Sequence, residues 1–136
     1  MPHYWLIKSE PFKYAWEQLV KDGETIWDGV RNHRAANNLR AMEVGDQCFF
    51  YHSNKGLEIV GIARVSEAGL TDPTDPEGKW PTVKVEPVRP LDNFVTLKAI
   101  KAEPTLEGID LVRLSRLSVA EIRPEEWEII LKMSES

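Results

Sequence analysis

A chain of 136 residues, 42% hydrophobic and 29% charged, is long enough to bury a core without cross-links, and it holds no apolar run that could span a membrane. Its single cysteine, Cys48, excludes an internal disulfide and a cysteine-based zinc site, and fits a reducing cytoplasm or nucleus. With 17 Lys and Arg against 22 Asp and Glu, the net charge of −5 argues against a protein living on non-specific contacts to duplex phosphates.

Residues 3–8 are predicted to form a first strand, because Tyr4-Trp5-Leu6-Ile7 is short, aromatic and apolar and Pro11 stops it. The first residues lack the basic start of a signal peptide, and Lys8 and Glu10 interrupt the apolar stretch. A helix is expected over 14–21, with Trp16, Leu19 and Val20 on one face and Gly23 ending it. Asn32 is placed to cap a second helix over 32–42, and Gly45-Asp46 to turn the chain after it. Residues 46–53 and 57–67 read as a hairpin about Asn54-Lys55-Gly56, with Cys48-Phe49-Phe50-Tyr51 a buried strand. A loop is expected over 69–81, then a strand over 80–88 in which Pro87 marks an edge or a bulge. Helices over 96–101 and 124–132 flank a last strand over 118–122, and Pro124-Glu125-Glu126 suits a helix start. The whole, residues 1–136, is read as one α+β domain of mostly antiparallel strands with outer helices, a curled sheet or partial barrel. There is no glycine-rich phosphate loop.

Charge and aromatic character are unevenly spread. Residues 31–40 carry Arg31, Arg34 and Arg40 without an acid, which suits a small anionic ligand or a few nucleotides. Lys8-Ser9 lies just past a strand end, where a site or simple termination both fit. Trp27-Asp28-Gly29 is a tight turn bearing a large aromatic, leading into a helix start with Arg31 and Asn32; Trp27 is either core or pocket wall. Tyr51, His52 and Ser53 end a strand, where a wet terminus and a pocket mouth are alternatives. Neighbours on a strand point to opposite faces, so His52 and Ser53 are not a base and nucleophile. His33, His52 and Asp28 lack a ligand spacing, and neither metal nor cofactor is expected. Arg113-Leu114-Ser115-Arg116 reads as a solvated loop or as one that contacts an anion, and Trp80 as a second stacking platform or a surface cover.

Five strings together make a specific pattern: Y-W-L-I-K-S-E-P at 4–11, W-D-G-V-R-N at 27–32, N-N-L-R-A-M at 37–42, F-F-Y-H-S at 49–53 and S-R-L-S-V at 115–119. In these the chain resembles the EVE domain family over nearly its full length. The resemblance implies a PUA-like fold, a mixed, barrel-like sheet flanked by short helices, and kinship with YTH and ASCH domains. It also implies a non-enzymatic reader holding a modified base, a modified cytosine such as 5-methylcytosine, in an aromatic pocket. The partner is then DNA or RNA with one flipped or unstacked base, and restriction or RNA-modification proteins are implied as neighbours in a bacterial-type cytoplasmic setting. By likeness to YTH domains, Lys8-Ser9 end the first strand, Trp27 is the first cage tryptophan and Tyr51-His52-Ser53 end the next site strand. Trp80 of Lys79-Trp80 is the second cage tryptophan, and Ser115-Arg116 precede the last strand. The base pocket implied is Lys8, Ser9, Trp27, Asn32, Tyr51, His52, Ser53 and Trp80, with Arg31, Arg34, Arg40, Ser115 and Arg116 on phosphates. His33-Arg34-Ala35-Ala36 departs from the family's Tyr-Gln-Ala-Arg, which displaces a positive charge. The alternatives are an ASCH-type ribonuclease using Lys8, Tyr51 and His52, and a sensor of a free modified nucleoside or another heteroaromatic ligand.

Overall fold

The computed structural model describes residues 3–135. In chain order, β1 (Tyr4–Ser9) is followed by α1 (Trp16–Asp22), β2 (Thr25–Ile26) and α2 (His33–Ala41). Then come β3 (Gln47–His52), β4 (Glu58–Thr71) and β5 (Pro81–Thr96). Next are α3 (Leu97–Ala102), a 3₁₀ turn (Pro104–Leu106), α4 (Asp110–Arg113), β6 (Val119–Ile122) and α5 (Pro124–Glu135). The strands make one sheet in the order β2-β5-β4-β3-β1-β6, and β1–β3 is its parallel pair.

Both faces of that central pair are covered, which is why its strands read as continuous apolar runs rather than alternating ones. Trp5, Ile7, Cys48 and Phe50 enter one core with Trp16 and Leu19 of α1 and Leu39 of α2. Leu6, Phe49 and Tyr51 enter the other with Ile100, Leu111 and Trp127, from α3, α4 and α5. On the first face Trp16 comes so close to the sheet that a Cβ at Gly61 would lie 2.7 Å from its indole. Phe50 meets the same ring edge-on at 5.5 Å.

The local signals act as their chemistry requires. Gly23 ends α1 in the left-handed region at φ 81°, its N–H donating to the Leu19 carbonyl. The Asn32 side chain accepts from the Ala35 N–H at 2.9 Å and caps α2. Pro87 lies at a register shift of β5, beyond the stretch that β2 covers, so it is both at a bulge and on an open edge.

Elsewhere the structure differs from the sequence-based expectation. Val20 is 53% exposed, because only the Trp16–Leu19 side of α1 meets the sheet. Strand β4 runs on to Thr71 and β5 to Thr96, and the loop between them is only 72–80. Repeated register shifts let this long pair absorb Gly69, Pro87 and Pro90 without breaking. The short β2, the 3₁₀ turn and α4 had no sequence counterpart. The sheet is also not closed into a barrel: β2 and β6 are its two edges. Helix α2 packs against both β5 and β6, and Asn38 Nδ2 donates to the Val119 carbonyl of β6 at 2.7 Å. A helix thus lies where closure would need strand pairing.

Candidate functional site

Because β1 and β3 are parallel, their C-terminal ends emerge side by side, with Lys8 opposite Tyr51 and Ser9 opposite His52. The Ser53 N–H donates to the Ser9 carbonyl at 2.9 Å and extends that pairing past the strands. A pocket of about 970 Å³ opens over these ends. Lys8, Ser9, Tyr51 and Ser53 form its floor, the β2–α2 loop with Trp27 and Asp28 one wall, and Ser115 and Arg116 of the α4–β6 loop another. Trp27 belongs to the first core and Tyr51 to the second, so the pocket lies across the end of the sheet rather than on one face.

The floor is internally bonded. Lys8 Nζ donates to the Ser115 carbonyl at 2.8 Å and lies 5.9 Å from the centre of the Tyr51 ring. Burial lowers the pKa of Lys8 and raises that of Tyr51. The Ser9 hydroxyl donates to the Tyr14 carbonyl at 2.6 Å, which leaves its lone pairs as acceptors.

Trp27 is held on every side. Its N–H donates to the Val83 carbonyl at 2.9 Å, and its carbonyl accepts from the Thr82 hydroxyl. Tyr14 and Phe50 meet its ring edge-on at 6.4 and 5.6 Å. Only 8% of the residue remains exposed, so core and wall are one role here. The next residues are fastened by a single buried carboxylate. Asp72 accepts from the Gly29 N–H at 2.7 Å, from Arg31 at 2.9 Å, and from the Thr74 N–H and hydroxyl at 2.8 and 2.7 Å. Burial alone would raise its pKa, but the bonds from Thr74, Arg31 and Gly29 outweigh that and hold it at about 2.

The expected site residues are thus partly brought together. Lys8, Ser9, Trp27, Arg31, Tyr51, Ser53, Ser115 and Arg116 line the pocket, although Arg31 is committed to Asp72. Asn32 and Arg34 lie instead beside a smaller depression of about 350 Å³, and Ser115 and Arg116 border both. His52 points to the α1 side, where its Nε2 accepts from the Trp16 N–H at 3.1 Å, so it does not join Lys8 and Tyr51. Trp80 lies outside the pocket, stacked on His33 at 5.1 Å and under Arg31 at 5.6 Å. Arg40 borders neither cavity and donates to Asn37 Oδ1 at 2.7 Å. Sequence reasoning missed Tyr14, a third aromatic of the lining beside Trp27 and Tyr51, and Asp72, which had read only as a turn starter. Among the described residues no group of three His, Cys, Asp or Glu is placed to hold a metal ion.

The EVE domain model matches residues 3–133. The chain belongs to the EVE domain family. Thymocyte nuclear protein 1 of Rattus norvegicus is 34% identical to this EVE domain over 170 aligned positions, covering all of this chain and 75% of the rat protein. A protein of Rhodopseudomonas palustris solved by NMR is 47% identical, with a TM-score of 0.94 over 98% of this chain and 93% of its own. The human THYN1 protein in complex with 5-methylcytosine containing DNA is 31% identical, with a TM-score of 0.92 over 98% of both chains. An ASCH protein of Zymomonas mobilis, at 11% identity and a TM-score of 0.56, shares the fold of this EVE domain over 96% of the chain. That fold is α+β and PUA-like, with an open sheet.

Proposed function

We propose that this EVE domain is a non-enzymatic reader of DNA that draws one unstacked, modified cytosine into the pocket walled by Trp27. The observation that carries this is the pocket itself, an aromatic-walled cavity across the strand ends, in a chain similar along its length to a human protein captured with 5-methylcytosine containing DNA. Stacking against the part of Trp27 that meets the pocket contributes up to roughly 1–3 kcal/mol whichever base enters. A buried methyl group adds about 0.8 kcal/mol, only a few-fold in affinity, so stronger preference requires close enclosure or a penalty on the wrong base. The edge of the base meets Ser9 and Ser53, whose hydroxyl oxygens are available as acceptors. Arg116 takes the adjoining phosphate and Arg34 the next along the smaller depression, because neither has an ion-pair or hydrogen-bond partner among the described residues. Asn32 borders the same depression while its side-chain oxygen caps α2, which leaves its amide N–H₂ as the donor for a ligand there. Lys8 and Tyr51 act as floor, Lys8 by fastening the α4–β6 loop.

No catalysis is needed for this function, and His52, the natural acid–base group of a nucleolytic alternative, is engaged at Nε2 on the far side of the strand. The test is fluorescence anisotropy with DNA and RNA oligonucleotides, single- and double-stranded, differing by one modified cytosine. Tighter binding of the modified DNA is expected. Equal affinity for modified and unmodified cytosine in every context removes the proposal; preference confined to RNA moves the partner, and tight binding of the free nucleoside alone makes the domain a small-molecule sensor.

A further inference from the structure

Two carboxylates line the pocket, and they differ in what answers their charge. Glu10 faces Lys13 Nζ at 3.5 Å. Asp28 has no ion-pair or hydrogen-bond partner for its side chain among the described residues. A pocket that attracts a polyanion gains nothing from an unanswered negative charge unless the ligand brings a hydrogen-bond donor to it. Asp28 is also fixed in place. It follows Trp27 directly, its own N–H donates to the Ile26 carbonyl at 3.0 Å, and Gly29 after it is tied to Asp72 at 2.7 Å. Its exposed carboxylate therefore borders the pocket one residue from the aromatic wall, on a backbone tied down on both sides.

We infer that Asp28 selects the pyrimidine: its carboxylate accepts a hydrogen bond from the exocyclic 4-amino group of cytosine and repels the 4-keto oxygen of thymine or uracil. This rests on the base-binding function proposed above and adds to it the residue that separates one base from another. An ionised carboxylate offers acceptors only, the amino group is the donor that cytosine presents on its outer edge, and the pairing of Asp or Glu with that group is a recognised mode of cytosine readout. Ser53 cannot make this distinction, because its hydroxyl rotates to donate or accept, and Ser9, its proton given to the Tyr14 carbonyl, offers only a neutral acceptor that repels a keto oxygen far less than a carboxylate does. The 5-methyl group cannot make it either, since thymine carries the same methyl at the same carbon.

That identity supplies the experiment. Two single-stranded DNA oligonucleotides differing only by 5-methylcytosine or thymine at one position are titrated against the wild-type domain and against Asp28→Asn, Asp28→Ala and Trp27→Phe. The wild type is expected to favour 5-methylcytosine by roughly tenfold, the order of one well-placed edge contact. Asp28→Asn, whose amide can donate to a keto oxygen, should bring the ratio to about one or invert it, and Asp28→Ala should lower it by losing 5-methylcytosine affinity. Trp27→Phe should weaken both oligonucleotides together and keep the ratio. A ratio in Asp28→Asn equal to that of the wild type, with melting temperatures matched, overturns the role of Asp28 and leaves base binding standing. A wild type that binds both bases equally does the same. A wild type that binds neither removes base binding and the selectivity with it.

Discussion

Replacing Trp27 with alanine would empty the space between Tyr14 and Phe50, and such a large-to-small change in a core costs about 3–5 kcal/mol. Loss of binding in that variant would not separate wall from core. Trp27→Phe keeps an aromatic face, and its affinity is expected to fall about five- to tenfold with the fold retained, as read by anisotropy and circular dichroism. At His52 the expected effect is on stability rather than binding. Burial lowers its pKa, against the pull of Glu17 and Glu58, and the neutral ring is the form whose Nε2 can accept the Trp16 N–H. The unfolded chain then binds a proton at a higher pH than the folded one. The stabilisation is complete above about pH 6.5 and is lost as pH falls from there through the lower folded value. Melting temperatures between pH 8 and pH 5 should show this decline, and His52→Gln, which offers an amide oxygen to the same N–H, should flatten it. The opposite slope would mean that the ring is charged in the fold. The sequence could show Trp27 as a candidate because its turn and its motif are local. It could not show the partner of Gly29, since Asp72 is 43 positions away and an Asp-Pro pair announces only a turn.

The β2–α2 loop is positioned by another loop, the one joining β4 to β5, through Asp72. Asp72→Asn removes the charge that Arg31 faces and one acceptor oxygen, and is expected to cost about 1–3 kcal/mol in urea denaturation and to weaken binding by loosening the wall. A binding constant unchanged in that variant would show that the wall stands without the clasp. With its pKa at about 2, the carboxylate stays ionised well below the ordinary range; the contribution is whole above about pH 3.8 and is lost as pH falls through about 2. In the first core, Gly61→Ala drives a methyl into the Trp16 indole, a ring already braced by Phe50, so a destabilisation of about 1–3 kcal/mol is expected from thermal melts. At this scale the sequence was legible wherever one short signal decides an element. Gly23 ended α1, Asn32 began α2 and Pro124 began α5. It was not legible where two long strands support one another. Residues 69–71 and 89–96 carry glycine, proline and charge that look like loop, and only their mutual pairing makes them strand. Helix α4 is four residues long and held by packing of Leu111 against the second core, too short for any periodicity to register.

Across the whole molecule the charge is negative, and the cations at the site are few. Arg31 is spent on Asp72 and Arg40 stands apart, which leaves Arg116 and Arg34, and Lys13 through its exposed pair with Glu10, to face a phosphate backbone. The logarithm of the binding constant should therefore fall with the logarithm of salt with a slope of only about 2–3, one unit per phosphate neutralised. A slope of six or more would place the nucleic acid on a surface other than this one. The resemblance legible in five short strings carried the PUA-like fold, and the sheet it implies stays open because its edge depends on what packs beside it, here α2 against β6. The doubly covered pair β1 and β3 has a consequence for anyone wishing to redirect the domain to another base. Tyr51 is part of the second core and Lys8 holds the α4–β6 loop, both at the ends of strands packed on two faces, so diversity introduced there is expected to destabilise the fold. Among the residues that touch the pocket from outside the sheet, Asp28, Ser53, Asn54, Leu57 and Arg116 are exposed or half-buried and belong to neither core, which makes them the adjustable positions. A library confined to those five could vary the ligand while inheriting the scaffold unchanged.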